Sequence, residues 1–189
     1  MPGSPAIESA PSPTLEDLMS RYQQADDQAA TALIEKVTPL LQRYFLMQAS
    51  NRRYSDDLVQ DTWIRVHQAR HTYRRGDSVL PWVFAIARHT GLDHYRRTKR
   101  VEIRETQVDV LPDVAAPTAR EENQGPDIAT MLADLPQSQR DVLVMLKVTG
   151  MSLDEVAKAT SSSIGSVKQK AHRAYTRLRE ALARKEKGT

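Results

Sequence analysis

The sequence predicts an all-α fold of two small helical domains joined by an acidic flexible linker, the C-terminal one a helix-turn-helix. Apolar residues recur at helical spacing along most of the 189 residues, and no alternating pattern predicts paired strands. Prolines and a Gly-Pro pair interrupt this periodicity once, between the two domains. The expected parts are a disordered tail (1–13), an N-terminal domain (14–100), the linker (101–126) and a C-terminal domain (127–186).

The composition excludes several classes of protein. The chain has no cysteine, so disulfides and thiolate metal sites are ruled out, and this fits a reducing cytoplasm. No apolar run approaches the ~20 residues needed to span a bilayer. Residues 1–13 lack the basic and apolar regions of a signal peptide, and their Pro, Ser and Ala content predicts disorder. We therefore expect a cytoplasmic protein.

Two helices are expected at the start of the N-terminal domain. Thr14 and Asp17 have the spacing of a capping box before the first helix. The second helix covers about residues 27–48, and Pro39 inside it should kink or split it. The apolar positions of these two helices predict their buried face: Leu15, Leu18, Met19, Tyr22, Leu33, Val37, Leu40, Leu41, Tyr44 and Phe45.

Two further helices complete this domain. Ser55 is expected to cap the third helix, which runs to about His71. Pro81 marks the start of the fourth helix, which extends through residues 82–97. The fourth helix combines aromatic and cationic side chains, a mixture typical of proteins that hold single-stranded DNA. We expect Trp82 and Phe84 to pack in the core. The DNA candidates are Arg88, His89, Arg96 and Arg97.

The C-terminal domain has the pattern of a helix-turn-helix. A helix over residues 137–148 ends before Gly150, and Ser152 caps a short helix. The serines at 161–163 supply a turn, after which a long helix begins at about Ile164. Its apolar stripe is Val167, Ala171, Ala174 and Leu178.

The opposite face of this long helix is cationic, as expected of a helix that enters the DNA major groove. Arginine can read guanine and glutamine can read adenine through paired hydrogen bonds. The candidates for contact with duplex DNA are Lys168, Gln169, Lys170, His172, Arg173 and Arg177. We expect Arg179 and Arg184 to meet phosphate or solvent.

The charge distribution supports this division of the chain. Basic segments at 88–100 and 165–187 flank the acidic linker at 101–126. As a flexible coil, that linker would span roughly 28 Å. The two domains are therefore expected to separate and to contact two places on one large partner.

Six segments, in this order, resemble those of extracytoplasmic-function sigma factors of the sigma-70 superfamily. Each motif alone is moderately specific, whereas the ordered set is strongly so. The segments are residues 57–66, 80–89, 93–97, 135–144, 151–157 and 165–174.

The resemblance implies a transcription-initiation subunit, not an enzyme, which needs no cofactor or metal. It would bind core RNA polymerase, a melted −10 element through the fourth helix, with one nucleobase captured near the loop at 74–79, and a duplex −35 element through the long C-terminal helix. It also implies a stress response and an inhibitory anti-sigma factor, which could be membrane-anchored. The residues that the resemblance places against core polymerase are Asp57, Gln60, Asp61 and Ile64. Asp57, like Asp56, could instead favour the start of its helix by charge.

The sequence departs from the family pattern at four places. His89 stands where asparagine is frequent, and Gly91 replaces a better helix former. Thr160-Ser161 replaces the usual Leu-Gly before the recognition helix, and Gln169-Lys170 replaces Ser-Arg within it. These differences bear on the promoter sequence that is recognised.

Alternative interpretations remain open at this stage. A free-standing DNA-binding regulator would use the same helix-turn-helix but ignore polymerase. A metal-dependent nucleic-acid enzyme could use His67 and His71, which are four residues apart. His89 and Asp93 share a helix face, for which a local hydrogen bond is a simpler explanation than a catalytic pair.

Overall fold

The computed structural model describes residues 12–48, 52–105 and 128–186. Regular structure in these ranges is entirely helical, so the predicted all-α class is confirmed. The predicted tail, apart from its last two residues, and the predicted linker beyond Glu105 lie outside the described residues. The α-helices are α1 (Leu15–Tyr22), α2 (Asp27–Leu46), α3 (Ser55–Ala69), α4 (Val79–Glu105), α5 (Ile128–Ala133), α6 (Gln137–Lys147), α7 (Leu153–Ala159) and α8 (Ile164–Glu186). Short 3₁₀ turns at Arg52–Tyr54 and Arg70–Thr72 flank α3.

The predicted caps at Thr14 and Ser152 both form, and each is part of a capping box, which was predicted only for Thr14 and Asp17. The Thr14 hydroxyl accepts a hydrogen bond from the amide of Asp17 at 3.1 Å, and the Asp17 carboxylate accepts one from the Thr14 amide at 3.2 Å. Ser152 and Glu155 make the same reciprocal pair at the start of α7. Each box satisfies two amides that the first helical turn leaves without partners.

Three predicted details of helix boundaries differ. Ser55 does not cap α3: the helix begins at Ser55 itself, and Tyr54 occupies the cap position without a side-chain cap bond. The preceding 3₁₀ turn leads the chain directly into the helix, so the cap is dispensable. Pro39 does not split α2, which continues from Asp27 to Leu46 with Pro39 on its exposed side.

The third difference is at the end of α4. This helix continues to Glu105, five residues past the predicted end of the N-terminal domain at residue 100. No proline or glycine occurs between Gly91 and Pro112, so nothing in the local sequence stops the helix at Arg100.

Helices α1 to α4 pack around an aromatic centre. Helix α1 packs on α2, and α3 packs on both α2 and α4. Tyr44, Phe45 and Phe84 are almost completely buried, and the Tyr44 ring meets the other two rings edge-on at 5.2 and 5.5 Å. Phe84 is therefore a core residue, as predicted. Trp82 is half-buried and packs edge-on against Tyr73 at 5.6 Å.

Helices α6, α7 and α8 form the helix-turn-helix domain. Gly150, at φ +73°, allows the sharp turn between α6 and α7, and Ser161 adopts φ +49° in the turn before α8. The buried Arg140 guanidinium donates hydrogen bonds to the carbonyls of Leu132, Ala133 and Leu135, fastening the end of α5 to α6. Burial lowers the pKa of this guanidinium below its usual value.

The two domains are in contact. Helix α7 packs along α4, and buried apolar side chains of both domains belong to one continuous cluster. The sequence predicted domains able to separate, but it did not predict this packing. No helix in the described ranges is both long and apolar enough to cross a membrane.

We expect Phe84→Ala to destabilise the N-terminal domain by about 3–5 kcal/mol, because truncation of a fully buried ring leaves a cavity. Urea unfolding followed by tryptophan fluorescence measures this, since both tryptophans, Trp63 and Trp82, lie in that domain. The control is Ile64→Ala at a side chain 55% exposed, which should change stability by at most about 0.5 kcal/mol. A loss below about 1 kcal/mol for Phe84→Ala would contradict the core assignment.

Candidate nucleic-acid and protein interfaces

Helix α3 presents a polar stripe to solvent. Leu58, Val59 and Val66 fix the orientation of the helix because they are buried on its inner face. The Trp63 indole N–H donates to the Thr38 hydroxyl at 2.9 Å, which also ties α3 to α2. The predicted polymerase-binding side chains are consequently all exposed on the outer face: Asp57, Gln60, Asp61 and Ile64.

Helix α4 exposes three of its four DNA candidates. His89, Arg96 and Arg97 are exposed. Arg88 is instead half-buried, and its Nε donates to the Asp141 carboxylate of α6 at 3.0 Å. A guanidinium held in this way is already paired with an anion, so Arg88 is not free for DNA in this arrangement.

His89 and Asp93 have different partners. The His89 Nδ1 is 2.8 Å from the Ala85 carbonyl oxygen of its own helix. The Asp93 carboxylate accepts a hydrogen bond from Arg65 of α3 at 2.9 Å, and this bond lowers the Asp93 pKa below its usual value. The predicted bond between His89 and Asp93 is therefore wrong. Arg65 pairs with Asp93 instead and joins α3 to α4.

The loop that leads into α4 is anchored at its base. The Tyr73 ring is buried and its hydroxyl donates to the Asp77 carbonyl, while Gly76 makes the turn at φ +90°. Gln23 donates to the Tyr73 carbonyl at 2.8 Å, and Glu16 accepts from the Val79 amide at 3.1 Å. The resemblance places the capture of a −10 nucleobase at residues 74–79. Residues 74–77 are exposed, and the anchored ends of the loop hold them in place. Sequence reasoning missed both anchors because Gln23, directly after α1, and Glu16, on α1, are 50 and 63 residues away from their partners in the chain.

His67 is engaged within the N-terminal domain. Its Nδ1 shares a 2.7 Å hydrogen bond with the Tyr22 hydroxyl of α1, whose pKa is raised by burial. His71 lies on the 3₁₀ turn and is exposed. In the portions of the chain that the structure describes, no group of three or more His, Asp or Glu side chains could hold a metal ion.

Helix α8 exposes its cationic face at the surface of the C-terminal domain. Val167, Ala171 and Ala174 are buried as predicted and hold the helix against α6 and α7. Lys170 is half-buried, and its ammonium donates to the Ser162 hydroxyl at 3.0 Å. The other predicted DNA contacts are exposed: Lys168, Gln169, His172, Arg173 and Arg177.

A buried polar cluster joins the domains, and the sequence did not reveal it. Asp141 of α6 has no exposed surface. One of its carboxylate oxygens accepts hydrogen bonds from the Tyr44 hydroxyl (3.0 Å), the Gln48 amide (3.0 Å) and the Gln137 amide (2.9 Å), and the other accepts from Arg88. We call these five residues the Asp141 cluster. Burial, and next the Asp141 charge, raise the pKa of Tyr44 well above its usual value, so the phenol stays a donor.

Comparison with known proteins agrees with this architecture. The Sigma-70 region 2 family profile matches residues 33–101, and that of Sigma-70, region 4 matches residues 127–178. The ECF RNA polymerase sigma factor SigF of Caulobacter vibrioides is 33% identical over 172 residues, which cover 90% of this chain and 94% of that protein. The RNA polymerase sigma factor CarQ of Myxococcus xanthus is 28% identical over 165 residues, covering 87% of this chain and 95% of that protein.

A solved structure has a similar fold. The sigma factor RpoE of Bartonella quintana, crystallised with the anti-sigma factor NepR, superposes with a TM-score of 0.66 at 24% identity, covering 87% of this chain and 98% of that chain. The two family profiles fall on the two domains in the expected order. Proteins of this family are transcription-initiation factors that bind DNA, not enzymes. The chain belongs to the extracytoplasmic-function group of the sigma-70 family.

Proposed function

We propose that this sigma factor docks on core RNA polymerase through the exposed stripe of α3, and that α4 and α8 contact the two promoter elements. The observation that carries the proposal is that α8 has two distinct faces: one is apolar and buried, and the other is cationic and exposed. A helix of this kind, preceded by a short helix and a tight turn, has the geometry that enters a major groove.

The same reasoning assigns the melted −10 element to α4 and the loop at 74–77. Exposed cations on α4 attract the phosphate backbone, and a loop whose ends are anchored can hold an unpaired nucleotide in place. Promoter opening then needs no chemistry, because tighter binding of the melted strand shifts the equilibrium towards open DNA. The DNA-binding residues of this proposal are Arg88, His89, Arg96 and Arg97 on α4, and Lys168, Gln169, Lys170, His172, Arg173 and Arg177 on α8.

The proposal extends to regulation and location. We infer that an anti-sigma factor holds the protein in the cytoplasm until a stress signal releases it. Support comes from the related fold that was solved with an anti-sigma factor. Run-off transcription with purified core polymerase on a promoter library tests the central function: start-site-specific RNA is expected only when both proteins are present. Absence of such RNA would exclude the proposed role.

Asp61→Arg should weaken binding to core polymerase by at least about a hundredfold, because the acidic stripe of α3 suits a basic partner surface, which a cation at this position would repel. A pull-down or fluorescence titration with core polymerase measures the affinity. The matched control is Glu35→Arg, an equal charge reversal at an exposed position on α2. If both variants bind core like the wild type, the α3 stripe is not the docking site.

Arg173→Ala should lower affinity for −35 duplex DNA by about 1–3 kcal/mol, and less for a scrambled duplex, if the side chain reads a base. Fluorescence anisotropy on the two duplexes gives both values. Arg179→Ala is the matched control, an exposed arginine of the same helix that we assign to phosphate or solvent. Equal losses on both duplexes would reduce Arg173 to a phosphate contact.

A further inference from the structure

The Asp141 cluster joins the domain that carries α4 to the domain that carries α8. Tyr44 and Gln48 lie on and just after α2, Arg88 lies on α4, and Asp141 lies on α6 of the other domain. Three donors from the N-terminal domain therefore converge on one buried carboxylate of the C-terminal domain.

The geometry of the closed arrangement is incompatible with binding both promoter elements at once. Helix α7 packs against both α4 and α8. Packed helices have axes about 8–10 Å apart, so where they meet α7, α4 and α8 are at most roughly 20 Å apart. The −10 and −35 elements are named for positions about 25 base pairs apart, which corresponds to about 85 Å of duplex at 3.4 Å per pair.

Arg88 adds a direct competition to this distance argument. Its Nε is used by Asp141 and its side chain is only 25% exposed, so a DNA phosphate could reach at most the outer Nη donors while the domains are closed. Opening of the domains releases Arg88 to DNA, and binding of DNA to Arg88 favours the open form.

We propose that the Asp141 cluster is an autoinhibitory latch, which holds the free sigma factor closed and keeps Arg88 from promoter DNA until the domains part. The proposal rests on the assignment of α4 and α8 to the two promoter elements. Loss of a hydrogen bond to a buried charge should change the ratio of open to closed molecules by about tenfold to a hundredfold.

The distance between domains tests the latch without DNA or polymerase. Because the chain has no cysteine, Glu35→Cys and Thr176→Cys place two spin labels at exposed sites, one in each domain. Pulsed electron spin resonance should give one short distance for the otherwise wild-type protein. A broad population at longer distances should appear in Asp141→Asn, in Gln48→Ala and, to a smaller extent, in Tyr44→Phe.

Two comparisons guard against misfolding and non-specific effects. Tyr44→Phe keeps the buried ring and removes only the hydroxyl, and circular dichroism with thermal melting verifies that each variant is folded. Asp93→Asn applies the same Asp-to-Asn change to an ion pair inside one domain, so it should leave the distance unchanged. A short distance in all folded cluster variants, or a long distance in the wild type, would overturn the latch.

DNA binding by the free full-length protein gives the second readout. The probes are a forked promoter with a duplex −35 element and a single-stranded −10 element, and a duplex with the −35 element alone. Gln48→Ala and Tyr44→Phe should raise affinity for the forked probe by about threefold to thirtyfold and leave affinity for the −35 duplex unchanged. An unchanged preference, together with opened distances, would show that the cluster does not restrain DNA binding. Failure of the proposed function would appear differently, as no specific binding by any variant while the distance changes remain.

Discussion

The carboxylate of Asp141 is the constraint on which the arrangement of the two domains depends. A charge without exposed surface is stable only when hydrogen bonds replace its lost water, and four donors from three structural elements do so here. Removal of one partner from such a group is costly, since the charge then stays buried without compensation. The position of α6 relative to α2 and α4 is consequently coupled to the completeness of one hydrogen-bond network.

Each domain positions its own exposed side chains independently of this contact. On α3 the buried Leu58, Val59 and Val66 determine which stripe faces outwards, and on α8 the buried Val167, Ala171 and Ala174 do the same. Caps at Thr14 and Ser152 fix where two helices begin. Opening of the domains would therefore move the candidate interfaces relative to each other while leaving each of them intact.

Local patterns explain what the sequence could predict. The caps, the buried stripes and the exposed candidates on α3 and α8 follow from spacings of three and four residues, which a single helix determines by itself. The burial of Arg88 could not be predicted in this way, because its partner Asp141 is 53 residues away in the chain. Tyr44 and Gln48 are four residues apart, and so are Gln137 and Asp141. No local pattern indicates that the first pair contacts the second. The anchors of the 74–77 loop likewise depend on contacts between elements distant in the chain.

The connection between the domains explains why a contact of modest strength is sufficient. Twenty-two residues, 106–127, separate α4 from α5, and a chain of that length reaches at most about 75 Å. Together with the width of the domains themselves, this reach allows α4 and α8 to occupy sites about 85 Å apart without unfolding. The same tether makes closure intramolecular, at an effective concentration of the order of millimolar. A contact too weak to join separate molecules can thus keep the free protein closed, yet yield when core polymerase binds each domain at its own site.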